Sequence, residues 1–288
     1  MKVVRFLGEL EPAARAVAIG TFDGVHLGHR AAIEAVKDAG LRSTVVTFDP
    51  HPRLVLGYDV QLLTTLERRV ELIRELDPDE LLVLEFTAEL SRLEPEAFVA
   101  QVLEPIGTEV VAAADSFRFG RGRKGDVELL RRLGLEVQDV PILEGVSSSR
   151  IRELLGGGEI QEAAVLLGRP PELEGLVVSG DQRGGTLGFP TANLAVEPHL
   201  LVPAYGIYAG AALGGRAAIS IGINPHYGGS ERRIEAFLLD FEGDLYGKQL
   251  RIELWQRLRD ERAFASEDDL VRQIALDVEA TQSAIRPG

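Results

Sequence analysis

Two of the five histidines in this chain of 288 residues, His26 and His29, stand three apart in the stretch GTFDGVHLGHR at 20–30. The residues before it, 15–20, read as a short buried strand, and 30–40 read as a helix ending at Gly40. The imidazoles therefore sit where a strand hands over to a helix. There the free backbone N–H groups and the helix dipole favour an anion. Side chains three apart share a helical face, so both rings can reach one ligand. A tight turn with two capping or packed histidines is the structural alternative, and position alone leaves both open.

The elements around this turn alternate. Strands are expected at 42–48, 80–86, 108–114 and 135–141, with helices at 65–76, 94–103 and 126–134. Apolar strands joined by helical crossovers imply a parallel sheet covered on both faces. Ligands of such sheets bind beyond the carboxyl ends of the strands. Four segments of interest fall there: the histidine turn, DPHP at 49–52, the basic SFRFGRGRKG at 116–125, and SSSRIR at 147–152. Their convergence on one edge favours a binding site over a mere turn.

Near residue 156 the organisation changes. A short helix lies between a glycine run and the Pro170–Pro171 pair, as in a linker. Beyond it, short strands at 173–180, 206–213, 216–223, 232–241 and 248–258 suggest a small closed antiparallel barrel. Residues 266–285 open on a serine N-cap and an acidic first turn, and should form a terminal helix.

Composition narrows the function classes. The apolar and charged fractions, 45% and 26%, are those of a globular protein, and the length suits two domains. No apolar run is long enough to span a bilayer, and the N-terminus lacks a signal-peptide core, so neither a membrane span nor export is expected. The absence of cysteine excludes disulfides, thiolate metal sites and thiol nucleophiles, and is compatible with the cytoplasm, the expected location. A net charge of −14, with neither half basic, argues against general affinity for nucleic acid or anionic membranes. A phosphate ligand must then be held locally.

GTFDGVHLGH fits the G-[TS]-F-x-x-x-H-x-G-H pattern of nucleotidylyltransferases. With TFDPHP at 47–52, FRFG at 117–120 and SSSRIR, it resembles the FMN adenylyltransferase module of prokaryotic bifunctional riboflavin kinase/FAD synthetases. LGFPTANL at 187–194, IEAFLLDF at 234–241, LYGK at 245–248 and LRDERAF at 258–264 resemble the riboflavin kinase module of the same family. The resemblance covers almost the whole chain. It implies a Rossmann-like α/β nucleotidylyltransferase domain at 1–168 and a β-barrel riboflavin kinase domain with a terminal helix at 169–288. The implied reactions are phosphorylation of riboflavin by ATP to FMN, then adenylylation of FMN by ATP to FAD and pyrophosphate, with Mg²⁺.

In the first module the resemblance implies ATP binding by Gly20, Thr21, Phe22, His26, Gly28, His29, Ser148, Ser149 and Arg152. His26 and His29 would donate to the triphosphate and to charge growing on the α-phosphate. Asp49, Ser116, Phe117 and Phe119 would meet the flavin; Ser116 stands where the family usually has Asn or Asp. Asp23 and Asp49 either orient the site or close turns.

In the second module Gly180, Arg183 and Gly184 would face the ATP phosphates, with Gly185 where the family commonly has Arg. Thr191 and Asn193, two apart in an extended segment, face the same way and offer the hard oxygen donors suited to Mg²⁺. Glu235 would take the proton of the riboflavin 5′-hydroxyl as general base. Arg259 would contact flavin or ADP, and His226 has no catalytic role. A riboflavin kinase whose first module no longer adenylylates, a flavin-storage protein and a nucleotidylyltransferase for another substrate are the competing readings. H-x-G-H, P-T-A-N and Glu235 together weigh against storage, since flavin retention needs none of them.

Overall fold

The computed structural model describes residues 1–179, 189–223 and 232–288. The chain divides into two compact units, Met1–Ser148 and Ser149–Gly288.

In the first unit the strands are β1 (Lys2–Val4), β2 (Arg15–Ile19), β3 (Arg42–Asp49), β4 (Glu80–Glu85), β5 (Thr108–Ala113) and β6 (Glu136–Asp139). They form one sheet in the order β1-β4-β3-β2-β5-β6, and every pairing is parallel. The helices are α1 (Leu27–Asp38), α2 (Pro52–Val55), α3 (Leu66–Glu75), α4 (Ala88–Ser91), α5 (Pro95–Phe98) and α6 (Val127–Arg132).

Alternation along the strands separates two cores. Ala16, Ala18, Val45 and Leu81 pack with Ile33 and Val36 of α1 and Leu72 and Ile73 of α3. Val17, Val46, Leu82 and Val111 face the other way, onto Phe98 of α5 and Leu130 of α6. From β2 the chain winds outward through β3 to β4, then returns to place β5 on the other side of β2. The carboxyl ends of β2 and β5 thus flank the topological switch point, where such sheets bind ligands.

The second unit begins with α7 (Ser148–Gly157, its first residue closing the first unit) and α8 (Ile160–Leu167). Its strands are β7 (Glu172–Val178), β8 (Ala192–Ala195), β9 (Gly206–Ala212), β10 (Gly215–Ile223), β11 (Arg232–Leu238) and β12 (Gln249–Arg259). They close a barrel in the order β10-β11-β8-β7-β12-β9. Ile219, Ile221, Ile234, Ala236 and Ile252 fill its interior. The last helix, α9 (Glu267–Ser283), is capped by the Ser266 hydroxyl. Arg216 of β10 ties its end down, donating at 2.8 Å to the carbonyls of Thr281 and Ala284.

Both expected architectures are present, and four details differ. The edge strand β1 was not expected; three residues carry too little pattern to show. β8 is a sixth barrel strand, formed by the P-T-A-N segment. α1 begins at Leu27, so His26 caps it and His29 lies inside it. The expected helix at 94–103 is the short α5 followed by a π-helical turn, Val99–Leu103.

At the amino ends of the strands, Arg15 and Glu80 form a fully buried pair at 2.7 Å. Thr44 also donates to Glu80 at 3.0 Å, and Arg15 donates to the Ile106 carbonyl at 2.6 Å. Burial by itself would raise the Glu80 carboxyl. Hydrogen bonds from Arg15 and Thr44, with the charges of Arg15 and Arg42, outweigh it and hold the group below 4.5.

Removing one partner of such a pair strands the other charge. Glu80→Gln should therefore destabilise the first unit by about 3–5 kcal/mol near neutral pH. Because the folded-state value is depressed, this stabilisation is present above the ordinary carboxylate range and is lost as pH falls through the folded value. Urea midpoints of both proteins should differ near neutral pH and converge in acid. Equal midpoints at neutral pH would show that the pair contributes nothing.

Candidate functional site

The turn after β2 has a strained backbone. Phe22 and Val25, neither of them glycine, take φ of 50° and 40°, and Gly24 takes 83°. Such conformations cost on the order of 1–3 kcal/mol each and persist only where their surroundings fix them. Here they do. The buried Asp23 carboxylate accepts from the backbone N–H groups of Leu63 at 2.9 Å and Thr64 at 3.2 Å. Thr64 Oγ1 accepts from Gly24 N at 3.2 Å, and the Ser148 hydroxyl donates to the Asp23 carbonyl at 2.9 Å. Asp23 braces the turn.

His26 Nδ1 accepts the backbone N–H of His29 at 3.3 Å, capping α1. In the neutral ring the proton must then sit on Nε2, which leaves that edge as a donor. The two imidazoles stack with centroids 3.6 Å apart and planes 15° apart, and Phe22 lies 5.1 Å from His29. Gly28 makes room for the stack: a Cβ there would lie 3.3 Å from Cε1 of His26. Gly20 similarly faces the Phe22 ring, which a Cβ would meet at 3.4 Å. His29 Nδ1 is enclosed without a partner. Burial, then the neighbouring His26, then Arg69 push the His29 pKa well below 6.5. His29 therefore stays uncharged at physiological pH.

Arg69 of α3 lies under the turn at 1% exposure, and sequence reasoning passed over it. It donates to the Thr21 carbonyl at 3.0 Å, to Thr47 Oγ1 at 3.3 Å and to the Phe48 carbonyl at 3.0 Å. The only sequence signal was an arginine at a position where α3 turns its face to the sheet. The periodicity of α3 marks that position, but only the sheet shows that the guanidinium reaches two strand ends.

Of the expected flavin residues, Asp49 ends β3 and is partly exposed, with Arg5 at 4.0 Å. Ser116 is exposed. Phe119 is buried at 7%, bridges to Gly125 and packs on Phe98. Phe117 stacks over it at 5.7 Å and is less buried. A flavin at this loop would therefore meet Phe117, with Phe119 as its support. Arg121 and Lys124 pair with Glu94, which offsets part of the loop's charge. Ser149 and Arg152 lie on α7 in the second unit, Arg152 one turn beyond Ser148.

In the second unit, Thr191 and Asn193 line a cleft of about 260 Å³ together with Val178, Phe241, Leu245 and Tyr246. Asn193 is the cross-strand partner of Glu235, and Glu235 that of Ser220. These three half-buried polar side chains form a row on the outer face of the barrel, opposite the apolar interior. Glu235 accepts from Arg233 at 3.3 Å and is 29% exposed. Phe237 shares its face as expected, and packs edge-on against Phe189 at 5.4 Å. Arg259 forms a bidentate ion pair with the buried Asp277 of α9, with contacts of 2.9 and 2.7 Å. Gly180, Arg183, Gly184, Gly185 and His226 lie outside the described residues. Among the described residues there is no cluster of three or more His, Asp or Glu side chains suited to hold a metal. No described helix is long and apolar enough to cross a membrane.

A doubly wound sheet with a braced histidine turn at its switch point, joined to a closed barrel, is the architecture of a two-module nucleotide-dependent transferase. Two family models match in the same order: FAD synthetase over residues 9–151 and riboflavin kinase over 167–285. The bifunctional riboflavin kinase/FMN adenylyltransferase of Listeria monocytogenes is 36% identical, over 93% of this chain and 92% of its own. Its counterpart from Escherichia coli K12 is 34% identical, over 96% of each chain. A crystal structure described as a macrolide-efflux protein from Streptococcus pneumoniae matches with TM-score 0.88 and 30% identity, over 97% of this chain and 98% of that one. The chain belongs to the bifunctional riboflavin kinase/FMN adenylyltransferase family.

The depressed His29 pKa is directly measurable. In an NMR titration its ring resonances should stay constant between about pH 8 and pH 6, where an ordinary histidine titrates. An inflection near 6.5 would contradict the enclosed, stacked geometry.

Proposed function

We propose that the chain makes FMN and then FAD, and that two modules divide the chemistry, their boundary at 168/169 leaving α7 and α8 with the sheet. The observation that carries this reading is the pairing of two independent motif sets with two independent folds. The histidine turn lies at the switch point of the sheet, and P-T-A-N lies beside Glu235 on the barrel. The adenylyl step is assigned to 1–168 and the kinase step to 169–288.

In the adenylyl step an FMN phosphate oxygen attacks the α-phosphorus of ATP and pyrophosphate leaves. No covalent nucleophile is needed; alignment and charge stabilisation suffice. His26 and His29 donate to the phosphates, and Thr21 with the Gly20–Phe22 backbone lines the approach. Ser148 supplies a further donor to phosphate oxygens, and Ser149 and Arg152 are assigned to them by resemblance. Phe117 gives the flavin ring a surface, with Asp49 and Ser116 as polar neighbours.

In the kinase step the riboflavin 5′-oxygen attacks the γ-phosphorus, Glu235 takes the hydroxyl proton and ADP leaves. Thr191 and Asn193 offer a hydroxyl and an amide oxygen, a donor set fitting Mg²⁺ shared with phosphates rather than a cage of carboxylates. The bound ion would neutralise charge on the transferring phosphoryl group. Gly180, Arg183 and Gly184 are assigned to the ATP phosphates by resemblance. Arg259, held by Asp277 and by the Asp260 carbonyl, would meet flavin or ADP through the N–H groups left over. A cytoplasmic enzyme fits this substrate set.

Incubated with riboflavin, ATP and Mg²⁺, the protein should yield FMN and then FAD by chromatography, and chelating the metal should stop both steps. Accumulation of FMN alone would mean that only the kinase works, and tight flavin binding without turnover would mean storage. Glu235→Gln should lower kinase turnover by roughly 10²–10⁴-fold, the usual contribution of a general base. His29→Ala should lower only FAD formation, on the order of 10²–10³-fold, as for loss of one transition-state donor. The two variants mixed should make FAD from riboflavin, because FMN diffuses between them. Normal riboflavin phosphorylation by Glu235→Gln would make that carboxylate structural.

A further inference from the structure

Arg69 is an unusual residue to enclose. Arginine is almost never fully buried unless its charge and donors are matched. Here one nitrogen, Nη1, is shared among three oxygens: the Thr21 carbonyl just after β2, and Thr47 Oγ1 and the Phe48 carbonyl near the end of β3. Thr47 in turn donates to the same Thr21 carbonyl at 3.1 Å. The Nε is shut from solvent and has no partner. Its surroundings pull its charge in opposite directions: burial disfavours the cation, while Asp23, Asp49 and Glu67 favour it. The group lies at the edge where the histidine pair stacks, and its field reaches His29.

Packing alone does not explain this arrangement. A purely structural brace could be neutral, and Asp23 with Thr64 already braces the turn. We infer that Arg69 is a positioning residue for adenylyl transfer, locking the ends of β2 and β3 together and holding a permanent positive charge beneath His26 and His29. The inference rests on the adenylyl-transfer reading of this site. The locked strand ends fix Thr21 and, through the turn, the direction of the two imidazole donors. The buried charge opposes protonation of His29 and adds a fixed attraction for a polyphosphate. Being buried, it is screened far less than the exposed arginines of the 116–125 loop.

The test uses the full-length protein with Arg69→Gln and Arg69→Lys. Three readouts are needed: FAD formation from FMN with kcat and KM separated, FMN formation from riboflavin, and the NMR titration of His29 without substrate. Arg69→Gln should lower FAD turnover roughly 100-fold, a loss comparable to that of a transition-state donor, while the barrel's riboflavin phosphorylation is unchanged. Its His29 should titrate closer to 6.5, because one cause of the depression is gone.

Arg69→Lys keeps the charge but not the planar fork, so FAD turnover should still fall, about tenfold, while His29 remains depressed. Wild-type FAD turnover in Arg69→Gln overturns the inference, as does a His29 titration that neither substitution moves. If Arg69→Gln melts the first unit, Arg69→Lys decides: normal turnover in the folded lysine variant rejects the role, and reduced turnover with a depressed His29 supports it. If the wild-type protein makes FMN but no FAD, the adenylyl reading has failed. The His29 titrations of the two variants then still decide whether the buried charge acts on the histidines.

Discussion

The buried carboxylate of Asp23 holds the first unit's site in shape. Two backbone N–H groups from the segment entering α3 converge on it. It thereby stabilises a turn containing two non-glycine residues in the left-handed region. Strained conformations of this kind persist where their surroundings fix them, and this carboxylate is part of what fixes the turn. With it, α1 starts one residue after His26, the histidine becomes a cap, and the rings stack. The chemistry proposed for the histidines thus depends on a carboxylate that need not touch the nucleotide.

The two units meet the same requirement, holding polyphosphate in an acidic protein, in different ways. The sheet unit concentrates neutral and cationic donors at one point, where a switch in strand order opens a crevice. The barrel unit has no switch in parallel strand order; its cleft is lined by Thr191 and Asn193. Its pairing register instead aligns Ser220, Glu235 and Asn193 across three strands, on the face turned away from its apolar interior. A shift of one residue in either pairing would turn Glu235 into the core and Ile234 or Ala236 outward. The register that satisfies the core therefore also assembles the polar row.

Much of this was legible in one dimension. The period of the apolar residues specified a parallel sheet followed by a barrel. A serine cap marked the start of α9, where the side-chain oxygen accepts from a backbone N–H three residues on. The spacing of His26, Gly28 and His29 identified the turn as the place to look. Short-range chemistry carries such signals well because cap, turn and helix face lie within a few residues of one another.

What lay beyond reach was long-range. Nothing in the sequence says that Leu63 and Thr64 serve Asp23, forty residues upstream, or that an arginine of α3 joins the ends of β2 and β3. The resemblance names Phe117 and Phe119 together as flavin contacts; folding put Phe119 against Phe98 and left Phe117 nearer the surface. Arg259 likewise gave no sign of its tie to Asp277 on α9. The sequence by itself determined most of the elements and their order, which follow from local sterics and apolar period, and its motifs carried the resemblance that names candidate reacting side chains. The tertiary structure decided which carboxylate braces, which arginine is enclosed and which aromatic is covered. Those outcomes depend on burial, and burial is settled only when distant segments pack.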